Sequence, residues 1–302
     1  MAAELETPLF TLRAVLFPGG DFNWHGEAGN VSFSMNTHFY GGLLMFLLLI
    51  LEVGDRVVMK RDLQIAKEIQ TWLLPAEPPA IAGLELAFST RPANTVAGDY
   101  YDVFPRWDGE RQKFVFAMAD VAGKSIPAAL LMATIQSSLK TLAAGPASLP
   151  EIVARMNQYA CSNSQNGRRF TTAFLAEYDP ASRTLIYVNA GHNPPILRRQ
   201  SGALERLDAG GIPLGILETA PYAAGSVVLQ NGDWLVIFTD GVVEAENNRG
   251  DEYGEQRLLF VVHTSANLAP SQMLRNLSED LDRFVAGAPQ HDDVTCMLVK
   301  VE

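Results

Sequence analysis

Cysteine is nearly absent from this chain. The two present, Cys161 and Cys296, fall outside any CxxC spacing. They fit a reducing compartment, as small buried side chains rather than metal ligands or a disulfide framework. Histidine is scarce too. None of the five stands in an HExxH pattern, so a zinc-hydrolase reading has no support. Clustered Lys and Arg are also missing. With a net charge of −11, the chain lacks the basic surface that nucleic acid requires.

A further absence is local. From Val31 to Leu51 there is no Asp, Glu, Lys or Arg, and LLMFLLLIL, Leu43 to Leu51, is apolar on every face. A membrane-spanning helix needs roughly 20 mostly apolar residues. This stretch reaches that length only by including Ser32, Ser34, Asn36, Thr37 and His38. It is therefore a marginal spanning candidate within an N-terminal segment, residues 1–54, and the alternative is a buried or dimer-forming helix. It begins too far from the N-terminus for a signal peptide and lacks a small-residue cleavage site. If it spans, Arg56, Lys60, Arg61 and Lys67 keep the following domain on the cytoplasmic side, anchored to the inner face of the membrane.

What is present is, first, sufficient apolar content. At 302 residues and 48% hydrophobic, the chain can hold one large domain with an appendage. Asp55 to Leu74 reads as a charged amphipathic helix with Val58, Ile65, Ile69 and Trp72 at helical spacing. So wide a stripe predicts burial against a partner, either a parallel two-helix coil or the domain that follows. Pro75, Pro78 and Pro79 end the helix, so residues 55–79 read as a linker and 80–302 as the main domain. Leu84 onward is rich in strands. Helices are expected at Ile126 to Leu142, Pro150 to Cys161, Gln256 to Leu268 and Ser271 to Phe284, with Ser125 and Ser271 as caps. Asn231-Gly232 predicts a hairpin between Val227–Leu229 and Trp234–Thr239. Strands and helices do not alternate strictly, which makes the domain α+β with antiparallel sheets.

The chemistry lies at the strand ends. Phe114 to Ser125, FVFAMADVAGKS, delivers Asp120 from an apolar strand to a turn of small residues. Val96 to Phe104, VAGDYYDVF, holds Asp99 and Asp102. Trp234 to Glu246, WLVIFTDGVVEAE, ends a strand at Asp240-Gly241. HDDVTCMLVKV places Asp292 and Asp293 at the start of the final strand. Each acid alone could be a turn residue. Together in one domain they imply a hard cation, because converging carboxylates repel one another.

These four blocks, in this order, resemble the metal-dependent phosphatases of the PPM (protein phosphatase 2C-like) superfamily, in its bacterial SpoIIE/RsbU branch. AGHNPPIL at Ala190 to Leu197, GGIPLGI at Gly210 to Ile216 and DEYGEQRL at Asp251 to Leu258 add to the match. The resemblance covers about residues 62 to 302. It implies two antiparallel sheets between helical layers, preceded by a linker helix. It also implies a pair of Mn²⁺ or Mg²⁺ ions activating a water, consistent with an all-oxygen ligand set. Asp120 looks like the bridging carboxylate, with the Val121 carbonyl as a further ligand. Asp240 and Asp292 look like ligands of the first ion, and Asp99 looks like the acid that holds the water shell of the second. Asp293 either supports Asp292 or joins the ligands.

Where eukaryotic-type relatives have a histidine two residues after the bridging aspartate, this chain has Ala122. Ala97 and Ser125 stand where the branch often has glycine. Arg91 and Lys124 are candidate phosphate contacts, with surface solvation as the alternative. His192 and Asn193 read as structural turn residues, Glu244 and Glu246 as solvated, and Tyr100 and Tyr101 as core. The implied substrate is a phosphoserine protein of the anti-sigma-factor-antagonist type. A homodimer through residues 55–74 and membrane association through 31–51 are further expectations. The rival reading is a catalytically weak binding module of the same fold that senses a signal.

Overall fold

The computed structural model describes residues 23–28, 31–123, 125–163 and 169–302. The chain divides into two compact units, residues 1–61 and 62–302. The first contains an antiparallel pair, β1 (Asn23–Ala28) and β2 (Val31–Asn36), followed by the start of a long helix, α1 (Thr37–Leu73). The uncharged stretch Val31 to Leu51 is thus split between a strand and a helix. The helical part that remains is shorter than the roughly 20 residues a bilayer requires. Among the described residues, no helix is long and apolar enough to cross a membrane. The structure therefore gives no support to anchoring through residues 31–51.

The second unit carries the remaining elements in chain order. They are β3 (Leu84–Arg91), β4 (Tyr100–Asp108), β5 (Arg111–Val121), α2 (Ile126–Ala143), α3 (Leu149–Asn163), β6 (Thr171–Asp179), β7 (Thr184–Ala190), β8 (Ile196–Arg198), β9 (Leu204–Arg206), β10 (Gly210–Gly211), β11 (Gly225–Val228), β12 (Trp234–Phe238), α4 (Asp240–Val243), α5 (Gly254–Thr264), α6 (Pro270–Val285) and β13 (Val294–Val301). One sheet runs β10-β7-β6-β5-β4, with β11 also on β7; the other runs β3-β13-β12-β8-β9. All pairings are antiparallel except the two-residue β10–β7 contact.

Period-two alternation explains why the sheets stack. On β5, Phe114, Phe116 and Met118 face the second sheet, where Leu235, Ile237, Met297 and Val299 meet them. The other face of β5, through Ala117, Ala119 and Val121, packs on Met132, Ile135 and Leu139 of α2 and on Ile152 and Met156 of α3. Across the molecule, Trp234, Val236, Phe238, Cys296 and Leu298 pack on α5 and α6 through Leu258, Val262, Met273 and Leu277. The result is the helix–sheet–sheet–helix sandwich that the resemblance implies. Cys296 is buried, as expected, while Cys161 is only half-buried.

Three local expectations are corrected. Asn231-Gly232 does not close a hairpin, because β11 pairs with β7 in one sheet and β12 pairs with β8 and β13 in the other. Gly232, at φ 83°, lets the chain change sheets. Asp233 anchors that crossing by accepting from Arg199 Nη1 and from the Gln200 and Gln230 amides. Ser271 lies inside α6, whose cap position is Ala269. Ser125 holds the cap position of α2 but makes no side-chain cap hydrogen bond, and it adopts φ 65°, ψ −149°, a region that glycine alone enters freely.

Candidate active site

Asp120 lies one residue from the end of β5, opposite Thr172 of β6. The strand stops there because the chain turns away, with the Ala122 amide donating to the Phe170 carbonyl at 3.0 Å. Beside this end passes the loop that leads into β4. Gly98 on that loop lies so close to the Val121 carbonyl that a Cβ there would meet its oxygen at 3.1 Å. The loop is held from the opposite sheet: Asp293 Oδ1 accepts from the Ala93 amide at 2.7 Å, and Oδ2 from the Gly98 amide at 2.6 Å. Both oxygens of Asp293 are therefore engaged with backbone, which suits the supporting role better than the ligand role.

Asp99 follows directly and is 2% exposed. Its Oδ2 accepts from Thr239 Oγ1 at 2.9 Å and Thr295 Oγ1 at 2.5 Å. Thr239 immediately precedes Asp240, the first residue of α4, so its hydroxyl holds the Asp99 carboxylate against the chain segment that carries Asp240. Gly241 permits the closest approach in the site. A Cβ there would stand 2.1 Å from the Asp293 carbonyl oxygen, so only glycine lets α4 lie against the start of β13 and bring Asp240 beside Asp292. The Asp292 side chain accepts from the Asp293 amide at 2.9 Å.

The electrostatics follow from this crowding. Burial pushes the Asp120 carboxyl up to about 7, and Asp240, Asp292, Asp293 and Glu244 push in the same direction. Burial likewise holds Asp99 well above the usual carboxylate range, reinforced by Asp120 and Asp293 and opposed by the two threonine hydroxyls. Among the described residues, no cation is among the groups that act most strongly on either acid. Among the described residues, no three side chains of His, Cys, Asp or Glu stand close enough together to hold a metal ion. Carboxylates that converge repel one another, and a divalent cation would offset that repulsion. The donors, carboxylates with a main-chain carbonyl, fit a hard ion.

Of the sequence candidates, the structure brings Asp99, Asp120, Val121, Asp240, Asp292 and Asp293 to one end of the sandwich. Arg91, the last residue of β3, lines a cavity of about 500 Å³ together with Gly241, Glu244, Asp282 and Asp292. Lys124 lies outside the described residues. Glu244 and Glu246 are exposed, as expected. Tyr100 and Tyr101 are core residues on opposite faces of β4. Asp102 faces away from the site and pairs with Tyr100 Oη and Lys140 Nζ, each at 2.9 Å. Sequence reading missed Thr239 and Thr295, whose roles depend on pairings 140 and 196 residues away.

The family model described as stage II sporulation protein E (SpoIIE) matches residues 110–302. The chain belongs to the SpoIIE family. Among relatives, the chain is 28% identical over 249 residues to the phosphoserine phosphatase RsbU of Bacillus subtilis, covering 82% of this chain and 72% of RsbU. It is 26% identical over 291 residues to protein IcfG of Synechocystis, covering 87% of this chain but only 45% of IcfG. The SpoIIE-type fold superposes on the SiaA-PP2C domain of Pseudomonas aeruginosa with a TM-score of 0.70 at 19% identity, covering 82% of this chain and 99% of that one.

Proposed function

We propose that this chain is a Mn²⁺- or Mg²⁺-dependent protein serine phosphatase that dephosphorylates a regulatory protein of the anti-sigma-factor-antagonist type. The observation that carries the reading is the gathering of Asp99, Asp120, Asp240 and Asp292 from four separated segments, with Asp120 pushed up by burial and by its acidic neighbours. When bound, two divalent ions supply Lewis acidity toward the phosphoryl oxygens and a nucleophilic water at neutral pH. Asp120 would bridge them. Asp240 and Asp292 would hold the first, and Asp99 the hydration shell of the second, with the Val121 carbonyl as a further ligand. Asp293 and the hydroxyls of Thr239 and Thr295 hold these groups in place.

The substrate phosphate would meet Arg91. Its Nη1 donates to Asp282 at 2.5 Å, and among the described residues its buried Nε has no partner. A guanidinium beside an acid cluster can hold phosphate oxygens that the acids themselves repel. Arg91→Ala should therefore raise KM for a phosphoserine protein far more than it lowers kcat. Hydrolysis of p-nitrophenyl phosphate with and without Mn²⁺ separates this reading from a binding module. Metal-stimulated turnover supports the phosphatase, and its absence in well-folded protein favours the module. The exposed side chains of Ile65, Ile69 and Trp72 on α1 support a homodimer through residues 55–74.

A further inference from the structure

The motif AGHNPPIL has no part in the chemistry above, yet it carries the most deeply placed imidazole among the described residues. His192 is 4% exposed, and burial pushes it down to about 4, so the ring is neutral. Its backbone is clamped by one side chain. Asn189 Oδ1 accepts from the His192 amide at 2.7 Å, and Asn189 Nδ2 donates to the carbonyls of His192 at 3.0 Å and Leu207 at 3.2 Å. Gly191, at φ 70°, makes the turn, and the ring of Pro213 lies where a Cβ would stand. The imidazole is thus aimed by rigid backbone.

It is aimed between the sheets. Nδ1 meets Thr172 Oγ1 at 3.1 Å, and Thr172 is the register partner of Asp120 on the first sheet. Nε2 is buried and closes no hydrogen bond of normal geometry, while the backbone of Phe238 on the second sheet is the polar group that acts on the ring. Phe238 ends β12, next to Thr239, which holds Asp99, and two residues before Asp240. An unsatisfied buried nitrogen is costly, and a histidine kept there calls for a reason.

We propose that His192 is a positioning residue that bridges the two sheets behind the acids and sets the separation of Asp120 from Asp240. Nδ1 fixes it to the first sheet. Its Nε2–H completes a hydrogen bond to the Phe238 carbonyl as the two strand ends draw together. The proposal rests on the metal-site reading, and the test keeps the two apart. His192→Asn retains a partner for Thr172 but cannot reach Phe238. His192→Gln places an amide near the Nε2 position. Thr172→Val removes the Nδ1 partner without changing volume.

Mn²⁺ binding to the full chain by calorimetry, beside thermal unfolding of each metal-free variant, is the measurement. Outer partners of metal ligands are commonly worth about 10–100-fold in affinity. Since His192 acts through strand ends, we expect about tenfold weaker binding for His192→Asn and Thr172→Val, partial recovery in His192→Gln, and little change in metal-free Tm. Wild-type affinity in His192→Asn, or in Thr172→Val if the asparagine variant does not fold, overturns the proposal. So does an affinity loss that only follows a matching fall in Tm. Asp120→Asn in the same series is the control: if it too binds Mn²⁺ like wild type, the metal-site reading fails first.

Discussion

Strand β5 ends in two opposite electrostatic arrangements. At its start, Lys113 Nζ contacts Asp108 and Glu177, each at 2.9 Å, and Arg106 Nη1 reaches Glu177 at 2.6 Å. Arg106 also donates to the carbonyls of Gly145 and Ala147, which fastens the sheet to the end of α2. There the carboxylate charge is met from within the chain. Hydrogen bonding to Lys113 pulls Asp108 below the usual range, and its bond to Asp108 pushes Lys113 up. At the other end burial, reinforced by several nearby acids, pushes Asp120 up to about 7. The first arrangement is a structural clasp complete in itself. The second gathers carboxylates in a buried site, where a divalent cation would offset their mutual repulsion. A site built at some cost to stability is the pattern expected of function.

The largest break in this comparison is at Asp120. Asp120→Asn and Asp240→Asn should each abolish Mn²⁺-dependent turnover. The metal-free protein should be no less stable, because each change removes a repelling charge from the acidic end. An assay at saturating Mn²⁺ paired with thermal unfolding checks both parts, and near-normal turnover in either variant would remove that residue from the mechanism.

Glu177→Gln tests the opposite end. It leaves the buried Arg106 guanidinium without its counter-charge, and breaking such a pair costs about 3–5 kcal/mol. Denaturant unfolding should show that loss, while the Mn²⁺ dependence of the surviving folded fraction stays as in wild type. A change in Mn²⁺ dependence would mean that the two ends are coupled and not independent.

The pH dependence sharpens the contrast without mutation. Asp120 in the metal-free fold is raised from 3.8 to about 7, so the folded state binds a proton more tightly than the unfolded chain does. Its contribution to stability is complete below about pH 4 and disappears as pH rises through about 7. In its effect on stability, Asp99 acts in the same direction. The metal-free protein should therefore lose Tm as pH rises toward and through neutrality, and Mn²⁺ should restore it with release of protons. A metal-free Tm that rises over that interval would contradict the assignment.

Much of this was legible in the chain. Apolar runs that end or begin at an acid placed Asp120, Asp240, Asp292 and Asp293 at strand ends, and Val294 to Val301 is indeed the final strand. These signals are local. The hydroxyls of Thr239 and Thr295 were not legible, because an internal strand threonine looks the same whether or not a distant aspartate accepts from it. Gly241 read as half of a turn pair, and its need for close approach to Asp293 exists only once two strands are packed. Asn231-Gly232 looked like a hairpin because turn chemistry specifies a reversal, not which sheet receives the next strand. The Arg106–Glu177 clasp joins two strands across 71 residues of chain, a pairing that no local pattern announces.

The smallest expected effect concerns how the acidic end is regulated. Gln70, near the end of α1, is buried and grips one residue of the Asp99 loop from both sides. Its Nε2 donates to the Ala97 carbonyl at 2.7 Å, and its Oε1 accepts from the Ala97 amide at 2.9 Å. Gln136 of α2 adds a longer contact to the Leu73 carbonyl at 3.4 Å. The linker therefore meets the site chiefly through Ala97, one residue from Gly98, whose amide Asp293 holds. On the same helix Ile65 and Ile69 are exposed, and pairing of two chains along them would bear on Gln70. Ile65→Asp with Ile69→Asp should give a monomer with an altered Mn²⁺ requirement, because paired helices cannot bury two unpaired charges in each seam. Gln70→Ala should leave the proposed dimer intact, cost about 1–3 kcal/mol for the two backbone groups it strands, and shift the Mn²⁺ requirement by itself. If the linker acts through Gln70, adding the two aspartates to Gln70→Ala should shift that requirement no further. Ultracentrifugation with Mn²⁺ titration of all three variants decides it. An intact dimer in the aspartate variant, or additive shifts in the combined one, would make the linker a spacer.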